Sequence, residues 1–193
     1  MFKNFIKKNF FRIFLFLKKT KYTLFTSDIN NSNFCIRDLK IIDKKLQLNK
    51  STEIIFDVGS HYGNEILNFK HYFSSAKIYA FEANKKCFEK LRNNTKSKKN
   101  VFIQNIFLSK DLINQPIDFF IDKKSDLIGS YYSKTQLTKT TATKTQVNTD
   151  TIDNFCKINN LQNIDILRID INGYELEALK GATNLLNEKK INY

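Results

Sequence analysis

Short apolar runs alternate with amphipathic stretches through most of this sequence after residue 50. An apolar run that ends at an acid or a polar turn indicates a buried strand, and apolar residues three and four positions apart indicate a helix. These patterns predict strands over 53–58, 76–82, 100–109 and 164–171, and helices over 63–73, 86–94 and 174–190. The helix residues expected to face the sheet are Ile66, Leu67, Phe69, Phe73, Leu176, Leu179, Leu185 and Leu186. Because strands and helices alternate along the chain, the pattern favours an α/β fold. Its sheet would be Rossmann-like and mostly parallel, with crossover helices.

The stretch between the third and fourth of these strands is less regular. Residues 115–122 predict an extra strand with the only proline of the chain at its start. Residues 133–146 predict a Thr- and Lys-rich loop. A short extended piece and another helix follow, and Thr151 and Asp153 are both competent N-caps for that helix. The last residues, 191–193, are typical of the opening of another strand.

The first fifty residues differ in charge from the rest of the chain. The formal net charge is +13 over 193 residues, and residues 1–21 alone hold seven basic side chains and no acid. Apolar residues recur between these charges at spacings of three and four, which predicts a basic amphipathic helix. They are Phe2, Ile6, Phe10, Ile13, Phe14 and Leu17. We therefore divide the chain into a basic N-terminal helical segment, 1–48, and an α/β domain, 49–193.

Two interpretations of this N-terminal helix stay open. Its longest uncharged run, Ile13–Leu17, is far shorter than the ~20 apolar residues that span a bilayer. No small-residue cleavage site of a secretory signal follows it. The helix over 1–21 either packs its aromatic face on the domain or lies on a membrane surface. The chain is expected in the cytoplasm, and in the second case at the inner face of the membrane.

Cysteine usage gives no sign of a disulfide framework or a metal site. Cys35, Cys87 and Cys156 lie far apart, without a C-x-x-C pair and with only two histidines in the chain. Thiols in a reducing compartment are therefore expected, and no set of metal ligands is predicted. Cys87, Cys156 and His71 fall at helix positions, where packing or surface roles are expected.

A glycine-containing turn after the first predicted strand is the main candidate for chemistry. Two of the five glycines follow Asp57 at the spacing D-x-G-x-x-x-G, as Gly59 and Gly63. This spacing is neither a G-x-G-x-x-G dinucleotide fingerprint nor a P-loop. The second strand ends in Glu82, and an acid there can accept hydrogen bonds from both hydroxyls of a ribose. The glycines would clear room for an adenosine-type ligand, most simply S-adenosylmethionine, beside this acid.

Other polar residues at the same edge of the predicted sheet have both a functional and a structural interpretation. Asn105 can reach the adenine edge or bond to a turn, and His61 can act as a base or pack in its loop. Asp170 can orient the amino group of the methyl donor, accept a proton from the acceptor or cap the following helix. Asp57 can contact the ligand or hydrogen-bond the amides of its own turn.

Four blocks, in this order and spacing, resemble the FkbM family of S-adenosylmethionine-dependent methyltransferases. The blocks are FDVGSHYGNE, IYAFEAN, VNTDTIDNFC and IDILRIDINGYELEALKGATNLL, within residues 50–193. The resemblance implies a class I methyltransferase fold and methyl transfer to a hydroxyl of a sugar, a glycolipid or a secondary metabolite such as a macrolide. The matching positions are Asp57, Gly59, Gly63, Glu82, Asp153, Asp170, Gly173 and Glu175.

The chain departs from the usual pattern of this family at two places. Ala83 stands where a proline usually follows the Phe-Glu pair, so a stiffened turn is lost but the acid is kept. Asn172 stands where the family usually has a glutamate, so a carboxylate beside the predicted cleft is lost. A class I sheet also has more strands than those predicted here, so the resemblance implies further strands beyond residue 193.

Two alternative functions follow from these observations. A truncated, non-catalytic methyltransferase-like domain fits a sheet without its last strands, in which the fourth strand would be an exposed edge. A nucleic-acid methyltransferase fits less well, because most of the excess charge lies on the N-terminal helix. The single proline, Pro116, also precludes the Pro-containing motifs of base methyltransferases. The expected partner is a glycan or small-molecule acceptor, and no oligomeric state is predicted.

Overall fold

The computed structural model of the chain describes residues 52–111, 113–122, 129–130 and 142–193. The predicted N-terminal helix, the boundary between residues 48 and 49, and most of the Thr- and Lys-rich stretch lie outside the described residues. In chain order the described elements are β1 (Ile54–Val58), α1 (Asn64–Tyr72), β2 (Lys77–Phe81), α2 (Lys85–Thr95), β3 (Val101–Gln104), β4 (Ile106–Leu108), β5 (Pro116–Asp122), β6 (Gly129–Ser130), β7 (Ala142–Asp150), α3 (Ile152–Ile158), β8 (Ile166–Ile169), α4 (Glu175–Lys180) and α5 (Thr183–Asn187).

Four strands form a parallel sheet, called sheet A here, in the order β3-β2-β1-β8. This arrangement confirms the predicted α/β class and the mostly parallel sheet. On β1, Asp57 lies opposite Ala80 of β2 and Arg168 of β8. Because the four strands run in the same direction, the turns that follow β1, β2 and β8 meet at one edge of sheet A.

Alternate residues of the sheet A strands face two hydrophobic layers. The layer with α1 and α2 contains Ile55, Ile66, Phe69, Ile78, Phe88 and Leu91. The layer with α3 and α5 contains Phe56, Val58, Phe81, Ile152, Phe155 and Leu185. In the second layer the ring centroid of Phe155 lies 5.7 Å from that of Phe56 and 4.9 Å from that of Phe81. Both faces of sheet A are therefore covered, as the near-continuous apolar strands require.

The chain leaves sheet A at Asn105 and builds a second sheet in the order β4-β7-β5-β6. The single third strand predicted over 100–109 is therefore wrong, because β3 and β4 belong to different sheets. The side-chain amide of Asn105 donates to the carbonyls of Glu82, at 2.7 Å, and Ala83, at 3.1 Å. Residues 142–146, predicted as part of a loop, belong to β7 and pair antiparallel with β5. Pairing decides this strand, since its polar sequence has no apolar alternation.

The single helix predicted near the C-terminal end is wrong, because α4 and α5 are separate. Gly181 lies between them, and a β-carbon there would lie 2.1 Å from the carbonyl oxygen of Ser109. The carbonyl of Gly181 accepts a hydrogen bond from the amide of Asp153. The carboxylate of Asp153 accepts hydrogen bonds from the amides of Asn184 and Leu185, in the first turn of α5. Tertiary hydrogen bonds therefore end one helix and begin the next.

Two finer predictions concern core leucines and a helix cap. Leu67 and Leu176 are wrong as core residues, since they are 39% and 46% exposed. Thr151 is confirmed as the N-cap of α3, because its hydroxyl accepts a hydrogen bond from the amide of Asn154.

The last residues of the chain run beside β8. Ile164 pairs with Ile191, and the amide of Leu167 donates to the carbonyl of Tyr193 at 2.8 Å. This pairing supports the predicted opening of a strand over 191–193. The expectation that β8 would be an exposed edge is wrong along these residues, because the C-terminal segment occupies that edge.

Two kinds of feature are absent from the described ranges, a bilayer-spanning helix and a cluster of metal ligands. There, no helix combines the length and apolar character needed to cross a bilayer. In the same part of the chain, no three His, Cys, Asp or Glu side chains are grouped to hold a metal ion. Cys87 and Cys156 are buried thiols, so of the packing and surface roles expected for them the structure shows packing.

Candidate functional site

The turn after β1 passes between the ends of β2 and β8. The amides of Gly59 and Ser60 donate to the carbonyl of Phe81 at 2.9 and 3.1 Å. Gly59 has a φ of +86°, and a β-carbon there would lie 2.1 Å from the carbonyl oxygen of Asp170. The missing side chain therefore lets the end of β8 pass close to the turn.

Gly63 also has a structural reason to lack a side chain. It precedes α1 with a φ of +86°, and a β-carbon there would lie 2.7 Å from the side chain of Leu91 on α2. The sequence interpretation that both glycines clear room for a ligand therefore needs correction, because protein atoms occupy the space at both positions. Gly59 still lines the cavity at this edge of sheet A, whereas Gly63 does not.

Glu82 follows β2 and is held by backbone amides. Its Oε2 accepts a hydrogen bond from the amide of His61 at 2.7 Å, and its Oε1 accepts one from the amide of Asn84 at 2.8 Å. Burial raises the pKa of Glu82 above the ordinary carboxyl value; the two amides lower this pKa, and the charge of Asp57 raises it further. Each carboxylate oxygen has more than one acceptor site, so Glu82 can accept further hydrogen bonds from a ligand.

A chain of ion pairs runs from the interior to the surface along the ends of β1 and β8. Nη1 of Arg168 lies 2.7 Å from Oδ1 of Asp57, and Nη2 lies 2.8 Å from Oδ2 of Asp170. The exposed fractions of these side chains are 0% for Asp57, 26% for Arg168 and 65% for Asp170. Burial lowers the pKa of Arg168, but the two carboxylates outweigh this effect and hold that pKa above its ordinary value. The guanidinium therefore stays charged between its two partners.

A cavity of about 320 Å³ opens where these turns meet. Its charged lining residues are Glu65, Glu82, Asp170 and Arg168, and part of its apolar wall is Phe81, Phe107, Leu108 and Phe119. Three carboxylates and one guanidinium leave an excess of negative charge among the described residues of the wall. A cavity of this kind favours a ligand that carries positive charge.

The structure brings together some, but not all, of the residues predicted to form the site. Those that line the cavity are Gly59, His61, Glu82 and Asp170. Those that do not are Asp57, Gly63 and Asn105. Asp57 lies behind the wall as the partner of Arg168, and Asn105 fixes the backbone after Glu82. The ring of His61 stacks on that of Tyr62, with centroids 3.6 Å apart.

Sequence reasoning missed several residues of the site, among them Arg168, Asn84 and Glu65. Arg168 interrupts an apolar strand two positions before Asp170, and strand alternation places both side chains on the same face. A charged residue within a strand predicted to be buried was the signal that could have identified Arg168 as part of the site. Asn84 caps α2 by accepting a hydrogen bond from the amide of Lys86 at 3.0 Å. Its buried Nδ2 has no hydrogen-bond partner among the described residues, so the site holds a donor that needs an acceptor.

Residues 57–193 match the family model described as the methyltransferase FkbM domain. The chain belongs to the FkbM methyltransferase family. The solved structure of methyltransferase FkbM from Methylobacillus flagellatus KT is similar to this chain, with a TM-score of 0.48 and 16% sequence identity. The similarity covers 72% of this chain and 31% of that one, so this chain spans less than a third of that protein. No curated protein matches the sequence.

Some of the positions that match the FkbM pattern serve the local backbone. Oε1 of Glu175 accepts hydrogen bonds from the amides of Ile171 and Gly173, both at 3.1 Å. Asn172, where the family usually has a glutamate, has a φ of +53°. Asparagine adopts this left-handed conformation more readily than most residues, so this departure from the FkbM pattern suits the loop.

Proposed function

We propose that this chain is the S-adenosylmethionine-binding part of a methyltransferase that acts on a hydroxyl of a sugar, a glycolipid or a secondary metabolite. The observation that carries the proposal is Glu82, held by the amides of His61 and Asn84 in a cavity with excess carboxylates. Ligands of parallel α/β sheets bind at this edge, outside the carboxyl ends of the strands. Membership of the FkbM family supports the same activity.

The residues of the cavity fit this methyl donor. Glu82 offers acceptors for the ribose hydroxyls, and the buried Nδ2 of Asn84 offers a donor to an acceptor atom of the nucleoside. The carboxylates of Glu65 and Asp170 complement the positive charge of its sulfonium and ammonium groups. When bound, S-adenosylmethionine would supply a methyl group on a sulfonium sulfur, and a neutral thioether would leave as the methyl group passes to the acceptor oxygen. Glu82, Asn84 and Gly59 are the residues that would hold it.

The remaining task of the chain is to orient the acceptor hydroxyl and take up its proton. His61 lines the cavity and is the candidate to receive that proton, because the carboxylate of Asp170 pairs with Arg168 and complements the charged groups of the donor. Phe107 and Phe119 form part of the apolar wall of the cavity. Methyl transfer from a sulfonium depends more on alignment than on a strong base.

Calorimetric titration of the full chain with S-adenosylmethionine tests donor binding. We expect the wild type to bind, and Glu82→Ala to lose affinity on the order of tenfold or more, because hydrogen bonds to a charged acceptor are removed. Glu89→Ala is the matched control, since Glu89 lies on α2 and pairs with Arg92 at the surface. Its affinity should equal that of the wild type. Absence of binding by the wild type would contradict the proposal.

A transfer assay separates an enzyme from a non-catalytic methyltransferase-like domain. The full chain is incubated with methyl-labelled S-adenosylmethionine and with free sugars, glycolipids or hydroxylated secondary metabolites. Label in one of these classes, reduced in Asp170→Asn, is the expected result. Donor binding without transfer to any of the three classes would favour the non-catalytic alternative.

A further inference from the structure

Strand register places Arg168 at the centre of the ion-pair chain. It lies opposite Asp57 on β1 and two residues before Asp170, so strand alternation brings the three side chains to one face of sheet A. Among the described residues that line the cavity, Arg168 is the only lysine or arginine. The presence of a single guanidinium beside three carboxylates in this wall needs a physical explanation.

The two partners of Arg168 differ in their surroundings. Asp57 is fully buried, and its Oδ2 has no hydrogen-bond partner among the described residues. A buried carboxylate without a counter-charge is strongly destabilising, so the ion pair with Arg168 balances this charge. Asp170 is mostly exposed, and without a partner its side chain would sample several rotamers. The buried carboxylate of Asp57 therefore holds Arg168 in place, and Arg168 in turn holds the exposed carboxylate of Asp170.

We propose that Arg168 is a positioning residue, which holds the carboxylate of Asp170 toward the amino-acid part of the methyl donor, with Asp57 as its buried anchor. The inference rests on the proposed function and adds the group that orients Asp170. A planar guanidinium suits this role because it can bond to two carboxylates at once in a fixed geometry. An ammonium at the same place is a single point of charge on a flexible stem.

Two thioethers that resemble the methyl donor test this role. Neither carries a sulfonium methyl group, so the test depends on binding alone. S-adenosylhomocysteine carries the amino-acid part, whereas methylthioadenosine has the nucleoside and thioether but not the amino acid. We expect Arg168→Met to weaken the binding of S-adenosylhomocysteine about tenfold or more. Binding of methylthioadenosine should change less than about twofold. A merely structural defect would weaken both ligands equally.

Two further variants show how Arg168 acts. Arg168→Lys keeps the positive charge but loses the fork, so its affinity for S-adenosylhomocysteine should lie between those of the wild type and Arg168→Met. The double variant Arg168→Met with Asp170→Asn should bind S-adenosylhomocysteine no more weakly than Asp170→Asn alone. Circular dichroism checks the fold of each variant. If Arg168→Met does not fold, Arg168→Lys carries the comparison, because it keeps a charge beside Asp57.

The outcomes separate this inference from the proposed function. Equal losses for the two ligands, or no loss for either, would overturn the positioning role while leaving the proposed function in place. Additive losses in the double variant would also overturn it, because they would mean that Arg168 contacts the ligand itself. A wild-type chain that binds neither ligand would overturn both proposals.

Discussion

Gly59 has a positive φ, and the backbone carbonyl of Asp170 occupies the space that a side chain would need. We expect Gly59→Ala to lower the free energy of unfolding by ~3 kcal/mol or more, because a methyl group 2.1 Å from the carbonyl oxygen of Asp170 forces β8 to move. Gly173→Ala is the matched control, since its φ is +99° and nothing lies within 4 Å of a β-carbon there. It should cost only the strain, about 1–3 kcal/mol. Urea denaturation measures both, and equal losses would contradict the close contact.

The raised pKa of Glu82 predicts a pH dependence of donor binding. The ionised carboxylate accepts hydrogen bonds from ligand hydroxyls, whereas the protonated carboxyl has fewer acceptor sites. Affinity for S-adenosylmethionine should therefore rise as the pH passes upward through this pKa, which lies above the ordinary value of 4.5. Calorimetry over a pH series measures the effect, and Glu82→Gln should abolish it. Affinity that falls with rising pH would contradict the prediction.

The same shift affects stability in the opposite direction. Because the folded chain binds this proton more tightly than the unfolded chain, Glu82 contributes stability that is fully present below the unfolded pKa. That contribution is lost as the pH rises through the folded pKa. The unfolding free energy of the wild type minus that of Glu82→Gln should therefore decrease or become negative as the pH rises through this window. A binding residue whose charged form is disfavoured by folding is an instance of the trade-off between stability and function.

At the scale of elements, α3 is held to sheet A by one face only. Phe155 is 4% exposed and contacts the rings of Phe56 and Phe81, whereas Ile158, on the same helix, is 63% exposed. We expect Phe155→Ala to lower the free energy of unfolding by about 3–5 kcal/mol. Ile158→Ala, the matched control, should change it by less than ~0.5 kcal/mol. Similar effects of the two substitutions in urea denaturation would contradict this packing.

Elements with strong apolar periodicity were predicted close to their true bounds, and the others were not. The first two strands and helices follow from the local spacing of apolar residues. The break at Asn105 and the separation of α4 from α5 depend instead on hydrogen bonds to Glu82 and Asp153, which are distant in sequence. Local spacing cannot express such contacts, so one strand and one helix were predicted where the chain forms two of each.

At the scale of the whole molecule, sheet A is shared by two hydrophobic layers, which predicts cooperative unfolding of the described domain. Cys87 reports on the layer with α1 and α2, and Cys156 on the layer with α3 and α5. Burial raises the pKa of Cys156 to about 12, with a further contribution from Asp153, so this thiol should not react in the folded chain. We expect both thiols to resist alkylation without denaturant and to become labelled at the same urea concentration.

Peptide mass spectrometry after alkylation measures each thiol separately, including Cys35, which lies outside the described residues. Labelling of one of the two buried thiols at a lower urea concentration would contradict a single cooperative unit. The amphipathic helix predicted over 1–21, and its contact with the domain or with a membrane surface, stays a prediction at this scale.

The sequence by itself determined the fold class, the order of the elements from β1 to β3 and the family, because these depend on local periodicity and on motif spacing. It also selected Gly59, His61, Glu82 and Asp170, which the carboxyl edge of a parallel sheet must bring together. Only the tertiary structure decided that Asp57 lies behind the cavity wall and that Arg168 joins it to Asp170. The reason is physical: register between β1 and β8 sets which charges meet, and register arises from packing between segments more than a hundred residues apart.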